Sequence, residues 1–440
     1  MIDKYLQLST SPCINRYFND FQNLFFFIFI LILSLSFIKI FQLKYESNNL
    51  RNKLLFKKIK FSSFEPKLIY FIFFYHLFFT IINIFFADCD EMTSPFPVVP
   101  NDANSIFINA GYWFHQIQFS LGSNFLSYIL YPLVSIFKIS FLNVNLIFSL
   151  LGLFGILLFY TITKQKIYKL NSNLYLFLII LTILPNFHYW TSYLTKETLI
   201  FFFLSLYLFY SFSEEEKFKI KYFLIFLFLI CLSVRPYFGL IFIISHLVAL
   251  FLLEIIKKKI SLKIFAVLII INIFAYFALV NIYWKFDYTG IADIPSNIIN
   301  FLNLRFGTTM IGFSFNEHHG YFTHFLIYFF SPLELPSNLN LKTISVFFNN
   351  FILITIFTIL VSHLVFNLRY LNKAFKLVFN NEKKKIFRIS LLIFLIFFTF
   401  LLGNSTANFG IIMRHKESFM FIMFFYLIYI NSNILLIKNK

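Results

Sequence analysis

Four carboxylates, Asp88, Asp90, Glu91 and Asp102, fall within fifteen residues, and no Lys or Arg follows them until Lys138. Carboxylates grouped in this way can hold a divalent cation, Mg2+ or Mn2+, or take a proton from a hydroxyl group. Asp88 and Asp90 are the candidate metal ligands and Asp102 the candidate base, although a solvated acidic loop has the same composition. Three cations stand apart from the basic clusters of the chain: Arg235 in CLSVRPYFGLIF, Arg305, and Arg414 in NFGIIMRHK. A guanidinium at a membrane edge is costly unless paired, and phosphate is its best bidentate partner. Arg235 and Arg414 are therefore candidates for binding a phosphate group, and Arg305 and Lys416 for binding substrate. Each also suits an ordinary lipid headgroup. Lys196 and Glu197 form a second substrate-binding candidate, or a cap and ion pair at a helix start. His318, between Glu317 and His319, suits proton transfer. Adjacent histidines cannot face one site on a regular element, which argues against a metal there.

The elements that hold these residues are set by composition. Of 440 residues, 59% are apolar and 13% charged, and Phe alone contributes 71. A soluble domain has about 45–50% apolar and about 25% charged residues. Only a bilayer accepts such a chain, so the fold class expected is all-α, an integral membrane protein. Apolar runs at 24–43, 67–87, 142–162, 173–190, 198–212, 222–234, 237–253, 262–282, 344–368, 389–402 and 418–437 give about eleven spans, within a range of ten to twelve. The segment 124–138 is a twelfth candidate. Counting it reverses the charge parity of its neighbours, so an interfacial or re-entrant helix is expected there.

Net charge is +18. In a soluble chain that would point to nucleic acid; here the cations fall in alternate loops, 26 of the 37 on one face. The positive-inside bias makes that face cytoplasmic and puts the N-terminus outside and the C-terminus in the cytoplasm. No nucleic acid partner is implied. The cytoplasmic loops reach roughly twenty residues, too short for a nucleotide-binding βαβ unit, and no GxxxxGK[ST] or GxGxxG is present. The whole chain, 1–440, reads as one multi-spanning domain with two large external loops, 88–141 and 283–343. Reactivity is expected on that external side. The run interiors contain no Asp or Glu, which disfavours ion-coupled transport. His76, His246 and His363 lie within runs and read as packed, hydrogen-bonded side chains. Cys13 and Cys89 map outside and Cys231 to a span; all three read as unpaired. The match of Asn404-Ser405-Thr406 to a glycosylation sequon is close to chance.

Several segments together resemble bacterial membrane glycosyltransferases of the C-type fold and oligosaccharide repeat-unit polymerases. They are Asn101-Asp102-Ala103-Asn104, Asn109-Ala110-Gly111-Tyr112, Leu130-Tyr131-Pro132-Leu133, Ser192 with Lys196-Glu197-Thr198-Leu199, Val234-Arg235-Pro236, and Asn408-Phe409-Gly410 with Arg414. The likeness runs loosely over 85–430. Two features differ: the run 24–43 precedes the Asp-bearing loop, and Asp102-Ala103 stands where a double acid is common. The resemblance implies a sugar donor on polyprenyl phosphate at the outer leaflet of the bacterial inner membrane, used for cell-surface polysaccharide assembly such as O-antigen polymerisation. The partners implied are the lipid bilayer and a polyprenyl-phosphate-linked glycan. It implies Asp102 as base, Arg235 and Arg414 as phosphate stabilisers, and no cofactor beyond a possible divalent cation. A glycan flippase or other transporter, and a structural membrane protein without chemistry, remain open alternatives.

Overall fold

The computed structural model describes residues 24–36, 39, 64–87, 101–111, 121–167, 171–213, 218–256, 341–381, 384–405 and 409–439. Among them there is helix and no strand. The helices are α1 (Leu24–Ser36), α2 (Phe64–Ala87), α3 (Asn101–Gly111), α4 (Ser123–Tyr131), α5 (Phe141–Lys166), α6 (Ser172–Thr182) and α7 (Pro185–Thr191). They continue with α8 (Lys196–Phe212), α9 (Phe218–Val234), α10 (Pro236–Ile256), α11 (Leu341–Val365), α12 (Leu368–Val378), α13 (Lys385–Ser405) and α14 (Phe409–Lys438). Continuous apolarity explains the choice: a backbone without water must satisfy its own hydrogen bonds, and a helix does so within one segment.

Among the described residues, five helices are long and apolar enough to cross a membrane: Pro66–Asn83, Phe141–Lys166, Pro236–Ile255, Phe347–Val365 and Phe419–Lys438. The pair α6–α7, bent by 44°, makes a sixth if it is one span. These six fall on runs expected to span. The run 173–190 is not one straight helix, because Pro185 opens α7 and cannot continue the ladder of α6. The run 222–234, expected to be short, lies in α9 of 17 residues. The runs 198–212 and 389–402 lie in α8 and α13, and 262–282 lies outside the described residues. The segment 124–138 forms α4 followed by a π-helical turn, Pro132–Ile136, too short to span. Gly122, at φ 99°, starts it, and Lys138, at φ 54°, ends it. Ser127 Oγ donates to Ile106 O and Ser135 Oγ to Gly111 O, which docks this helix on α3.

The described residues form two compact units. The first comprises Met1–Tyr160, Ile179–Ser205 and Asn338–Ser345. Its helix α2 is inside out compared with a helix of a soluble protein. Phe71, Phe74 and Phe78 are exposed, while His76, Thr80 and Asn83 are buried on the other side. That arrangement suits a solvent of lipid tails. The helices α5 and α7 approach closely because Gly152 has no side chain: a Cβ there would lie 1.9 Å from Thr191 O.

The described residues of the second unit fall within Thr161–Leu178, Leu206–Ser337 and Val346–Lys440. The helices α9 and α10 form a hairpin about Arg235, with Phe228 against Phe242 (5.6 Å between ring centroids). Antiparallel to α10 runs α13: Phe238 meets Phe398 and Phe394, and further along His246 meets Phe387. Antiparallel to α13 runs α14, where Phe398 packs on Phe419 and Tyr426 Oη donates to Arg388 O at 2.6 Å. Parallel to α14 runs α11, through Lys416–Asn350 near one end and His363–Asn431 near the other.

Replacing Gly152 with Ala is expected to destabilise the protein by about 1–3 kcal/mol, because the added methyl meets a backbone oxygen that cannot rotate away. Unfolding of purified G152A in detergent, by heat or by added SDS, measures it; a midpoint equal to wild type would show that α5 and α7 do not meet at this position.

Candidate functional site

In the first unit a polar seam runs through otherwise apolar helices, and it forms where helical hydrogen bonding fails. The bend between α6 and α7 frees carbonyl groups at the end of α6, since Pro185 brings no N–H. His188 Nε2 donates to one of them, Thr182 O, at 2.7 Å. Between α7 and α8, residues 192–195 are not helical yet are buried. Several backbone groups there bond to side chains. Leu194 N donates to Asn145 Oδ1 (2.8 Å), and Thr198 Oγ1 donates to Tyr193 O (2.9 Å). Asn83 Nδ2 donates to Tyr189 O (2.9 Å) and Ser192 Oγ (2.8 Å). The N-cap of α8 is Thr195, whose Oγ1 accepts from Thr198 N at 3.2 Å. Glu197 sits in the first turn of α8 and is buried, 3% exposed. A carboxylate there faces the positive end of the helix dipole. Lys196 is half-buried.

Deeper in the seam, His76 and His188 meet through their Nδ1 atoms at 3.0 Å, and His76 Nε2 lies 3.0 Å from Ser149 O. Thr80 Oγ1 donates to His76 O, which leaves Ser149 Oγ to donate to Thr80 Oγ1 at 2.6 Å. Beside His76 lies a cavity of about 10 Å³, room for roughly one water molecule. Its polar lining is Ser34, His76 and Ser149; Phe73, Leu146 and Leu153 are among the apolar residues around them.

The second unit has two chemically opposite ends. At one end cations close helix termini. Lys384 Nζ donates to Tyr210 O (3.0 Å) and Ser213 O (2.7 Å), and Arg388 donates to Ser211 O (3.0 Å) and Val378 O (2.6 Å). Lys166, Lys438 and the basic helix α12 join the same end: Lys166 lies over Tyr429 and Lys438 over Tyr370. Unpaired carbonyl groups at a helix C-terminus attract cations, so these residues have structural work there. At the other end stand the Arg235 corner and the first turns of α14. Arg235 Nη1 donates to Tyr237 Oη (2.9 Å), Tyr237 stacks on Phe398, and Phe398 packs on Phe419. Lys416, fully buried, donates from Nζ to Asn350 Oδ1 at 2.7 Å.

Of the residues singled out in the sequence, Arg235, Arg414 and Lys416 fall at this second end of the second unit. Arg414 is on α14, two residues before Lys416. Asp102 is in the first turn of α3, in the first unit, as are Lys196 and Glu197 near the seam. Asp88, Asp90, Arg305, His318, Cys13 and Cys89 lie outside the described residues. Among the described residues no cluster of His, Cys, Asp and Glu is large enough to hold a metal. His76 and His363 are packed and hydrogen-bonded, as the sequence suggested, and Cys231 is buried and forms no disulfide. The seam residues Asn145, Ser149 and His188 were passed over. One signal for it was available: His76, Thr80 and Asn83 recur at i, i+4 and i+7 within an apolar run, which is a polar stripe on one helix face.

Replacing Asn145 with Leu is expected to cost about 1–3 kcal/mol, because the buried N–H of Leu194 loses its acceptor. The exposed Asn173 replaced with Leu serves as control. Equal unfolding midpoints for both variants would mean that Asn145 does not hold the 192–195 backbone. No family model, no curated protein and no solved structure matches this chain.

Proposed function

We propose that this protein is an integral-membrane glycosyltransferase or glycan polymerase of cell-surface polysaccharide assembly, using a polyprenyl-phosphate-linked sugar at the external leaflet of a bacterial inner membrane. The observation that carries this reading is the contrast between the ends of the second unit. At the basic end, Lys384 and Arg388 are committed to helix carbonyl groups. Arg235, Arg414 and the buried Lys416 belong to elements of the other end, Arg235 at the α9–α10 corner and the other two in the first turns of α14. Cations concentrated at a membrane edge suit a phosphate or diphosphate leaving group, whose developing charge they stabilise. In this mechanism Asp102 accepts the proton of the attacking sugar hydroxyl. The lipid carrier needs a groove among apolar helices and no nucleotide-binding domain. Arg305, Lys196, Glu197 and His318 are assigned to substrate. Asp88 and Asp90 are assigned to a divalent cation that would screen the diphosphate.

A second reading, a glycan flippase or other transporter, is favoured by one feature: the helix bend at α6–α7 and the buried non-helical stretch 192–195. Transporters build binding sites from interrupted helices of this kind.

The test is the lipid-linked and surface glycan profile of cells carrying Asp102→Asn or Arg414→Ala in place of the wild-type protein. Each variant is expected to insert at normal levels and to lose most glycan extension, with short lipid-linked products accumulating. Unchanged glycan in both variants, at normal membrane levels, overturns the transferase reading.

A further inference from the structure

We propose that His76 and His188 form a buried proton-binding site, one that holds a single proton between two imidazole rings within the apolar interior of the first unit. The inference comes from counting hydrogens. His76 Nε2 faces Ser149 O at 3.0 Å, and His188 Nε2 faces Thr182 O at 2.7 Å. A carbonyl oxygen only accepts, so both Nε2 atoms carry hydrogen. In a neutral imidazole the other nitrogen is then a bare lone pair. Yet the two Nδ1 atoms approach to 3.0 Å, the distance of an N–H···N hydrogen bond. Two neutral rings have two protons for these three contacts. The geometry is complete with three protons on four nitrogens, a histidine–histidinium pair with net charge +1.

The surroundings are consistent with a site and not with a chance contact. The two histidines are 112 residues apart in sequence, and both are essentially inaccessible. Each carbonyl acceptor is fixed by other structure, Ser149 on α5 and Thr182 at the helix bend. Burial opposes a net charge. Here the charge is spread over two rings and offset by hydrogen bonds at every ring nitrogen, the condition under which buried charge is tolerated. The polar cavity on the Ser34–Ser149 side of His76 provides a place from which water could deliver and remove the proton.

The groups packed against the pair from each element are mostly non-titrating. From α2, Tyr75 stands edge-on to His188 (4.8 Å) and Phe79 stacks at 6.2 Å. From α7 comes Phe187 (6.4 Å), from α5 Ser149, from α6 Thr182, and from α1 Ser34 across the cavity. Tyr75 is the one titratable neighbour among them, and no carboxylate or ammonium lines the cavity. The pair would supply the intramembrane ionisable group that the apolar runs lack in the form of Asp or Glu.

The test compares full-length wild type with His76→Phe and His188→Phe in lipid nanodiscs between pH 8 and pH 5.5. A phenylalanine ring keeps the planar shape but has no lone pair to share a proton, so either variant lacks the second acceptor of the pair. A bound proton contributes stability that is present at acid pH and fades as pH rises. Wild type is therefore expected to gain melting temperature on acidification relative to both variants, by about 2 °C or more. Nitrogen NMR of 15N-histidine-labelled protein gives a second readout that needs no variant to fold. It should show a protonated Nδ1 shared by two rings whose Nε2 atoms are both protonated. Parallel pH profiles, a wild type that loses stability on acidification relative to the variants, or two bare Nδ1 signals would each overturn the proposal.

Discussion

A backbone or side-chain polar group in an apolar interior must find a partner inside the protein, because lipid tails offer none. Most of the described structure follows from that constraint. It makes nearly every described residue helical. It turns α2 inside out, with Phe71, Phe74 and Phe78 outward and His76, Thr80 and Asn83 inward. Where the helices break, at the α6–α7 bend and at 192–195, it recruits Asn83, Asn145, His188 and Thr198 to the exposed backbone. The polar seam is therefore a consequence of the breaks. The breaks persist because the seam satisfies them.

The same constraint governs the cations. At one end of the second unit, Lys384 and Arg388 are held by carbonyl groups at the ends of α8 and α12 and lie over Tyr210 and Phe212. Sequence reasoning assigned these residues to the cytoplasmic face by counting alone. The structure gives these cations a local role at this end of the unit, since helix C-termini draw positive charge. Lys416 is different. It is buried, bonded to Asn350, and lies toward the opposite end.

Function and fold separate clearly in this chain. The helices would form in lipid with many different sequences, because apolarity is the main requirement. The chemistry we propose is assigned to a few residues whose identity apolarity does not dictate: Asp102, Arg235, Arg414, Lys416 and the two histidines. In a chain whose Phe residues number 71, such residues stand out. A single charged or imidazole group in a long apolar run costs several kcal/mol unless it is partnered.

What the sequence determined by itself is the environment and the element type. Long uninterrupted apolar runs leave no alternative to helices in a bilayer. The short helix at 124–138 was also legible, because counting it as a span broke the charge parity. The bend at Pro185 was visible as a proline and yet was read through, since 173–190 has the length of a single span and hydropathy averages over one breaker. Which polar residues meet was decided only by tertiary structure. His76 and His188 are separated by 112 residues, as Asn145 and Leu194 are by 49. Hydropathy carries no information about pairs. Only the packing of α2, α5 and α7, permitted by the missing side chain at Gly152, brings those groups within hydrogen-bonding distance.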